Sequence, residues 1–218
     1  MRLYDTQRSG NAWKVRLMAG LLGLTLERRT LSIDRGELRS ESFCAIAPMR
    51  QVPVLELDGG GTLCESMAIL FYLAQDSLWW PLAPVEQARV LSWMSFEQER
   101  HMKPLAQLRL HLGLHRDRRP EDADMRHHAA EAALALEILE AQLSRPGTAP
   151  WVATPTLPSI ADIALYPYTR LAGMGGIDLA AYPAILGWLG RIEALPGYQP
   201  LFPGRPDLNF STAETAAL

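Results

Sequence analysis

Hydrophobic and polar positions change their period near residue 77. Before that point, short extended runs are interleaved with helical patterns; after it, helical spacing dominates. Arg2 to Asp5 predicts a short strand. Trp13, Val15, Leu17, Met18, Leu21 and Leu22 then recur at helical spacing, and Gly23 supplies a stop. Leu26 to Ile33 alternates imperfectly and predicts a second strand. The result is a βαβ unit, whose crossover joins parallel strands in a right-handed sense. Val52 to Leu57 predicts a further strand, Asp58-Gly59-Gly60-Gly61 a tight turn, and Thr62 to Cys64 the antiparallel partner. Glu65 then opens a helix that can turn Ile69, Leu70, Tyr72 and Leu73 to the sheet. The expected order is β-α-β-α-β-β-α, with four strands.

Two prolines, Pro81 and Pro84, stop helix on either side of a short linker. Beyond it, Glu86 to His111 reads as one amphipathic helix bent at Pro104, whose missing N–H disrupts a helix interior. Ala123 to Leu143 is a second helix, ended by Arg145-Pro146-Gly147. Ser159 to Arg170 and Pro183 to Leu195 are two more. The expected division is an α/β unit over 1–77, a linker over 78–84, an all-α unit over 85–205 and an aperiodic tail over 206–218.

Composition narrows the class. Of 218 residues, 48% are hydrophobic and 21% charged, so a sizeable core is expected. A net charge of −3 gives no general reason to bind nucleic acid or an anionic membrane. No stretch approaches the roughly 20 apolar residues of a membrane span, and the first residues lack a signal-peptide pattern. Cys44 and Cys64 are too few for a disulfide framework or a zinc site. A cytoplasmic, reducing setting without a metal is the expectation.

Two features point to chemistry. Pro53, at the start of a strand, removes a ladder donor. It marks either an edge strand or a cis X-Pro bond, an uncommon arrangement usually placed for a purpose. A cis bond would turn the backbone N–H and C=O of Val52 outward, where a bound peptide pairs with them like an added strand. Ser66 falls in the first turn of a helix, where unpaired N–H groups and the dipole favour an anion. Read alone, that is an ordinary helix start. Glu65 beside a carboxylate site makes sense if the ligand also carries an ammonium group. Together, Val52-Pro53 and Glu65-Ser66 describe a pocket for a small zwitterionic peptide.

On these residues the chain resembles the glutathione transferase superfamily, nearly end to end, and most closely the bacterial Ser/Thr-x-Asn type near the nu-class-like group. The resemblance implies a thioredoxin-like N-terminal domain followed by an all-helical one, with glutathione as cosubstrate. Pro53 matches the family's cis-proline, and Val52 the residue that pairs with the cysteinyl moiety. Glu65-Ser66 matches the pair that takes the γ-glutamyl end, and Gln51 can reach the glycyl end. Pro158-Ser159-Ile160-Ala161-Asp162-Ile163 is similar to a capping motif of these proteins, a structural element worth about 1 kcal/mol or more. Ala47-Pro48-Met49-Arg50 departs from the Asn-Pro-x-Gly often found before the cis-proline. By resemblance, Trp93, Phe96 and His101 lie on the helix that walls the electrophile site.

The same resemblance implies a catalytic position within Arg8-Ser9-Gly10-Asn11-Ala12. Ser9 stands where glutaredoxin-like relatives carry a nucleophilic cysteine, and Ala12 replaces the resolving one. Tyr4 is a rival, since some classes use a tyrosine. A thiol has a pKa near about 8.5, and only its thiolate is a good nucleophile. A hydroxyl or amide donor at the sulfur lowers that pKa. Ser9 and Asn11 are therefore the expected activating pair, against the plainer reading of an N-cap turn. The expected function is a homodimeric glutathione transferase acting on a small-molecule electrophile. A glutathione-dependent disulfide reductase, a maleylacetoacetate-type isomerase and a non-catalytic regulator of the same fold remain alternatives.

Overall fold

A computed structural model describes residues 1–33, 35–145 and 150–202. The expected 206–218 tail, the far end of the 85–205 unit and the Pro146-Gly147 stop lie outside these residues.

Four strands form one sheet in the order β2-β1-β3-β4: β1 Arg2–Asp5, β2 Glu27–Thr30, β3 Val54–Glu56 and β4 Thr62–Cys64. β1 and β2 run parallel with Arg2 opposite Glu27. β3 runs antiparallel to β1 (Leu3 opposite Leu55) and to β4 (Leu55 opposite Leu63). The helices α1 Gly10–Leu21, α2 Glu41–Ile46 and α3 Ser66–Ala74 complete the β-α-β-α-β-β-α order. β2 is shorter than the alternation predicts: the strand spans only Glu27–Thr30, all exposed, while Leu26 and Leu31 on either side pack on the cores.

β3 is an interior strand, so an edge strand does not explain Pro53. The Val52–Pro53 bond is cis, and Pro53 precedes the first ladder residue, Val54, so its missing N–H costs the sheet nothing. Buried Asp5 fixes the end of β1. It accepts from Arg16 at 2.7 Å, Arg28 at 2.8 Å and Thr30 at 2.9 Å. Arg16 also donates to the carbonyl of Gln7 at 3.3 Å, which ties the loop after β1 to α1.

The remainder is helical: α4 Pro84–Phe96, α5 Met102–Leu108, α6 Ala123–Leu143, α7 Ile160–Arg170 and α8 Pro183–Glu193. The single helix expected to bend at Pro104 instead runs from α4 to Leu114 through two π-helical stretches, Glu97–His101 and Arg109–Leu114. In the first, the N–H of Met102 reaches the carbonyl of Glu97, five residues back. The wider turn lies just ahead of Pro104, where the ring would otherwise crowd a carbonyl one turn earlier.

α7 is the centre of this half, buried from Ile160 through Thr169. Its cap is stronger than a two-bond box. The Asp162 carboxylate accepts from the N–H of Ser159 at 2.9 Å, the N–H of Val152 at 3.0 Å and the indole of Trp188 at 2.9 Å. Ser159 Oγ accepts from Ala161. α7 packs on α1 through an edge-on contact of Trp13 with Tyr166 at 5.4 Å. A second tie joins the halves: Lys14 Nζ lies 2.7 Å from Glu97 Oε1, with both side chains fully buried.

Candidate functional site

The loop between β1 and α1 sits where both halves meet. Ser9 is the N-cap of α1, with extended backbone (φ −72, ψ 120), and its Oγ accepts from the N–H of Ala12 at 3.1 Å. The capping expectation is therefore met, and it does not exhaust the hydroxyl: accepting leaves the Ser9 proton free to donate elsewhere. Asn11, two residues on, has a buried Oδ1 without a hydrogen-bond partner.

Asn11, Gln51, Val52, Pro53, Glu65 and Ser66 converge on one small recess, joined by Met49 and Cys64. Residues from the first turn of α1, the cis-proline turn and the start of α3 thus come together. Glu65 is held at φ 68 ahead of α3. That left-handed conformation is strained for a residue with a side chain, and such strain clusters at ligand sites. Ser66 opens α3 and is 4% exposed. Arg50 also adopts φ 53, at the position where the family pattern often places glycine.

Val52 belongs equally to a second hollow, a cavity of about 270 Å³. Thr6, Arg8, Ser9 and Gly10 line it from the first half, and Ala106, Gln107, Arg109, Leu110, Leu114, His115 and Tyr168 from the second. Ser9 and Asn11 therefore flank Val52, one on each hollow. A further hollow, about 990 Å³, is a trough between the 75–87 segment and the 154–158 loop, away from this loop.

Not every candidate residue lies on these two hollows. Trp93, Phe96 and His101 do not line the cavity beside Ser9. Trp93 and Phe96 pack edge-on at 5.1 Å, and His101 is buried with Nε2 2.9 Å from Thr169. The wall is formed by the same helical rod farther on, because the π turn and the packing against α7 decide which face meets the loop. Tyr4 lines neither hollow: its hydroxyl donates to Glu56 at 2.9 Å and its ring packs near Phe43. Cys64 reaches the recess, but burial and the neighbouring Glu65 carboxylate push its thiol up, away from thiolate chemistry.

Four residues were not singled out from sequence. Tyr168 lies against the start of α1, close enough that a Cβ on Gly10 would meet its ring at 2.8 Å. Its hydroxyl is pushed up to about 12, chiefly by burial, and so stays neutral. Arg109 lines the same cavity. Lys14 and Glu97 lie beneath. Burial lowers the Lys14 ammonium, opposed by Glu97 and, more weakly, Glu65. A charged residue inside the apolar run from Leu105 to Leu110 is the one sequence signal that could have drawn attention to Arg109.

The family model "Glutathione S-transferase, N-terminal domain" matches residues 1–75. The chain is 30% identical over 181 residues to the disulfide-bond oxidoreductase YfcG of Escherichia coli (strain K12), covering 78% of this chain and 81% of that protein. The chain belongs to the glutathione transferase superfamily. A crystal structure of a glutathione S-transferase from Pseudomonas fluorescens Pf-5 superposes with a TM-score of 0.86 at 39% identity, over 92% of this chain and 98% of that one. A maleylacetoacetate isomerase from Methylobacterium extorquens AM1, solved with malonate and glutathione bound, gives 0.75 at 28% identity, over 90% and 94% of the two chains. The sheet-bearing half is thus the superfamily's thioredoxin-like domain and the remainder its helical part. These relatives are enzymes of three kinds, transferase, oxidoreductase and isomerase. Among the described residues, no helix is long and apolar enough to cross a membrane.

Proposed function

We propose that the recess binds glutathione and that Ser9, with Asn11, stabilises its thiolate for attack on an electrophile held in the adjoining cavity. The observation that carries this reading is the convergence of Asn11, Gln51, Val52, Pro53, Glu65 and Ser66 on one recess, sharing Val52 with the cavity that Ser9 lines. In this reading Val52 pairs with the peptide backbone, Ser66 and the N-terminus of α3 take the γ-glutamyl carboxylate, and Glu65 takes its ammonium. The unpartnered Asn11 Oδ1 is consistent with a ligand there. The glutathione bound to the solved isomerase relative supports the same ligand. Residues 1–77 then form the glutathione-binding unit of a cytoplasmic homodimer; light scattering at twice the chain mass tests the last point.

Calorimetry is the test. Reduced glutathione should bind, and Ser66→Ala should weaken it about tenfold, the scale of one charge-assisted hydrogen bond. If neither reduced nor oxidised glutathione binds at millimolar concentration, the reading fails.

A second reaction has its own support, the similarity to the disulfide-bond oxidoreductase YfcG. Here the glutathione thiolate attacks the glutathionyl sulfur of a mixed disulfide. The S–S bond breaks, oxidised glutathione forms, and the released thiolate takes up a proton. No protein thiol is needed, and the Cys64 environment supplies none. Turnover of a mixed disulfide against a chloronitrobenzene electrophile decides between the two.

A further inference from the structure

Two arginines, Arg8 and Arg109, line the cavity, and among the described residues no aspartate or glutamate does. Arg109 is the unusual member. It opens the second π-helical stretch and is 5% exposed. Its Nη2 donates to the carbonyl of Arg8 at 2.9 Å and its Nε to Met174 Sδ at 3.4 Å. Thioether sulfur is a weak acceptor. Nη1 makes no hydrogen bond among the described residues, and the side chain lines the cavity. The groups that act on its charge are Tyr168 and Arg8, neither a carboxylate. Burial drives the guanidinium down to about 10, which leaves it cationic at neutral pH. A buried cation without a carboxylate is costly unless something compensates it.

Thr6 supplies an independent observation. It is 5% exposed and lines the same cavity, and its Oγ1 has no partner. A hydroxyl lacking a bond in a cavity that also presents a guanidinium edge is half of an anion site, since buried polar groups are otherwise almost always satisfied. The rest of the lining is apolar or neutral, with Leu110, Leu114 and Ala106 opposite the loop.

We propose that the second substrate carries a carboxylate on an apolar body, and that Arg109, with Thr6, binds that carboxylate while Leu110 and Leu114 hold the body. Arg109 is thus a specificity-determining residue of the cavity. The proposal rests on glutathione occupying the recess, because that places the reacting sulfur at the Ser9 end of the cavity. It adds what the recess cannot specify, the charge of the acceptor. A guanidinium is suited to this role because its planar fork matches the two oxygens of a carboxylate.

Two product-like ligands test it directly: S-benzylglutathione and S-(4-carboxybenzyl)glutathione. Their peptide parts are identical and their S-substituents differ by one carboxylate. In calorimetry, the wild-type protein should bind the carboxylated ligand about tenfold more tightly, the scale of one charge-assisted contact in a site largely shielded from water. Arg109→Met should bring the two affinities within about twofold, whereas Arg109→Lys should keep part of the preference. Should Arg109→Met fail to fold, the wild-type ratio and the Arg109→Lys protein still decide. Equal affinities in the wild type, or a preference unchanged in Arg109→Met, would overturn the proposal. Binding of neither ligand would instead overturn the glutathione reading on which it rests.

Discussion

The recess and the cavity share Val52 and are built in opposite ways. All but one of the recess residues come from the chain between Met49 and Ser66, around one cis-proline turn and one helix start, with Asn11 added from the first turn of α1. Its polar groups are backbone N–H and C=O, the amides of Asn11 and Gln51, a hydroxyl and a carboxylate. The cavity has no such local origin. It closes only when Ala106 to His115 and Tyr168 are packed against the loop from Thr6 to Gly10. The difference teaches where specificity is written. A ligand read by backbone geometry leaves a contiguous motif in the chain, and a ligand read by shape and charge between packed helices does not.

The two regions are joined electrostatically at Lys14, which pairs with Glu97 under the cavity and also feels Glu65 at the recess. Breaking that joint gives the largest expected effect. Lys14→Met leaves the fully buried Glu97 carboxylate with only Gln98 beside it. The loss should be about 3–5 kcal/mol of unfolding free energy, the usual penalty for one partner of a buried pair. Adding Glu97→Leu should restore most of it, since removing both charges is often neutral. Urea melts of the three proteins measure this. A single variant within 1 kcal/mol of wild type would mean that the pair does not tie the halves.

A smaller effect comes from His101. Thr169 Oγ1 donates to the carbonyl of Leu165 at 2.8 Å, so it accepts from His101 Nε2–H, and Nδ1 is left buried without a partner. Burial, aided by the Lys14 charge, pushes this imidazole down from 6.5 to about 3. The sign follows. Below about pH 6.5 the unfolded chain takes up a proton on His101 and the folded protein does not until about pH 3. Stability is therefore fully present above 6.5 and is lost as pH falls through that window, by about 1.4 kcal/mol per unit. Between pH 7 and pH 5 this component amounts to about 2 kcal/mol. His101→Gln should flatten the wild-type decline by that amount; parallel pH profiles would show that His101 is protonated in the fold. This prediction sharpens the contrast, because His101 supports the helical wall and does not belong to the recess.

The order of strands and helices was legible because each sheet element carries its own period and its own turn. The recess was legible for the same reason: Pro53 and Glu65-Ser66 keep their meaning in any packing. The part of the helical rod that lines the cavity, Ala106 to His115, lies beyond Trp93, Phe96 and His101. Trp93 and Phe96 look like ligand-facing aromatics, yet they satisfy each other edge-on. Which face of that rod meets the loop depends on two π turns, and these answer to packing around Pro104 and against Met174 more than to local propensity. Gly113 is a trace of that packing: a Cβ there would meet the Met174 carbonyl at 2.6 Å. Arg109 was passed over because an arginine on a helix is ordinarily solvated, and nothing in its neighbours announces burial except the surrounding leucines.

The smallest expected effect falls at Ser9, where the two regions touch and where one hydroxyl has two duties. As N-cap it accepts from Ala12; as proposed activator it donates its own proton to the glutathione sulfur. Two substitutions separate these duties. Ser9→Ala should lose the cap, about 1 kcal/mol of stability, and the donor, whereas Ser9→Gly should lose only a few tenths through the cap but the donor entirely. If the hydroxyl lowers the bound thiol by about one pKa unit, its removal cuts the thiolate fraction about tenfold near pH 6.5. The remaining thiolate is more basic and intrinsically more nucleophilic, with a Brønsted coefficient of about 0.4–0.5, which returns about threefold. The net fall in kcat should thus be only about threefold in both variants, with the pH profile of kcat displaced upward by about one unit. Equal rate losses with unequal stability losses would assign the hydroxyl both roles. A Ser9→Gly protein with an undisplaced pH profile would leave Ser9 as a cap alone and pass activation to Asn11, on the recess side of Val52.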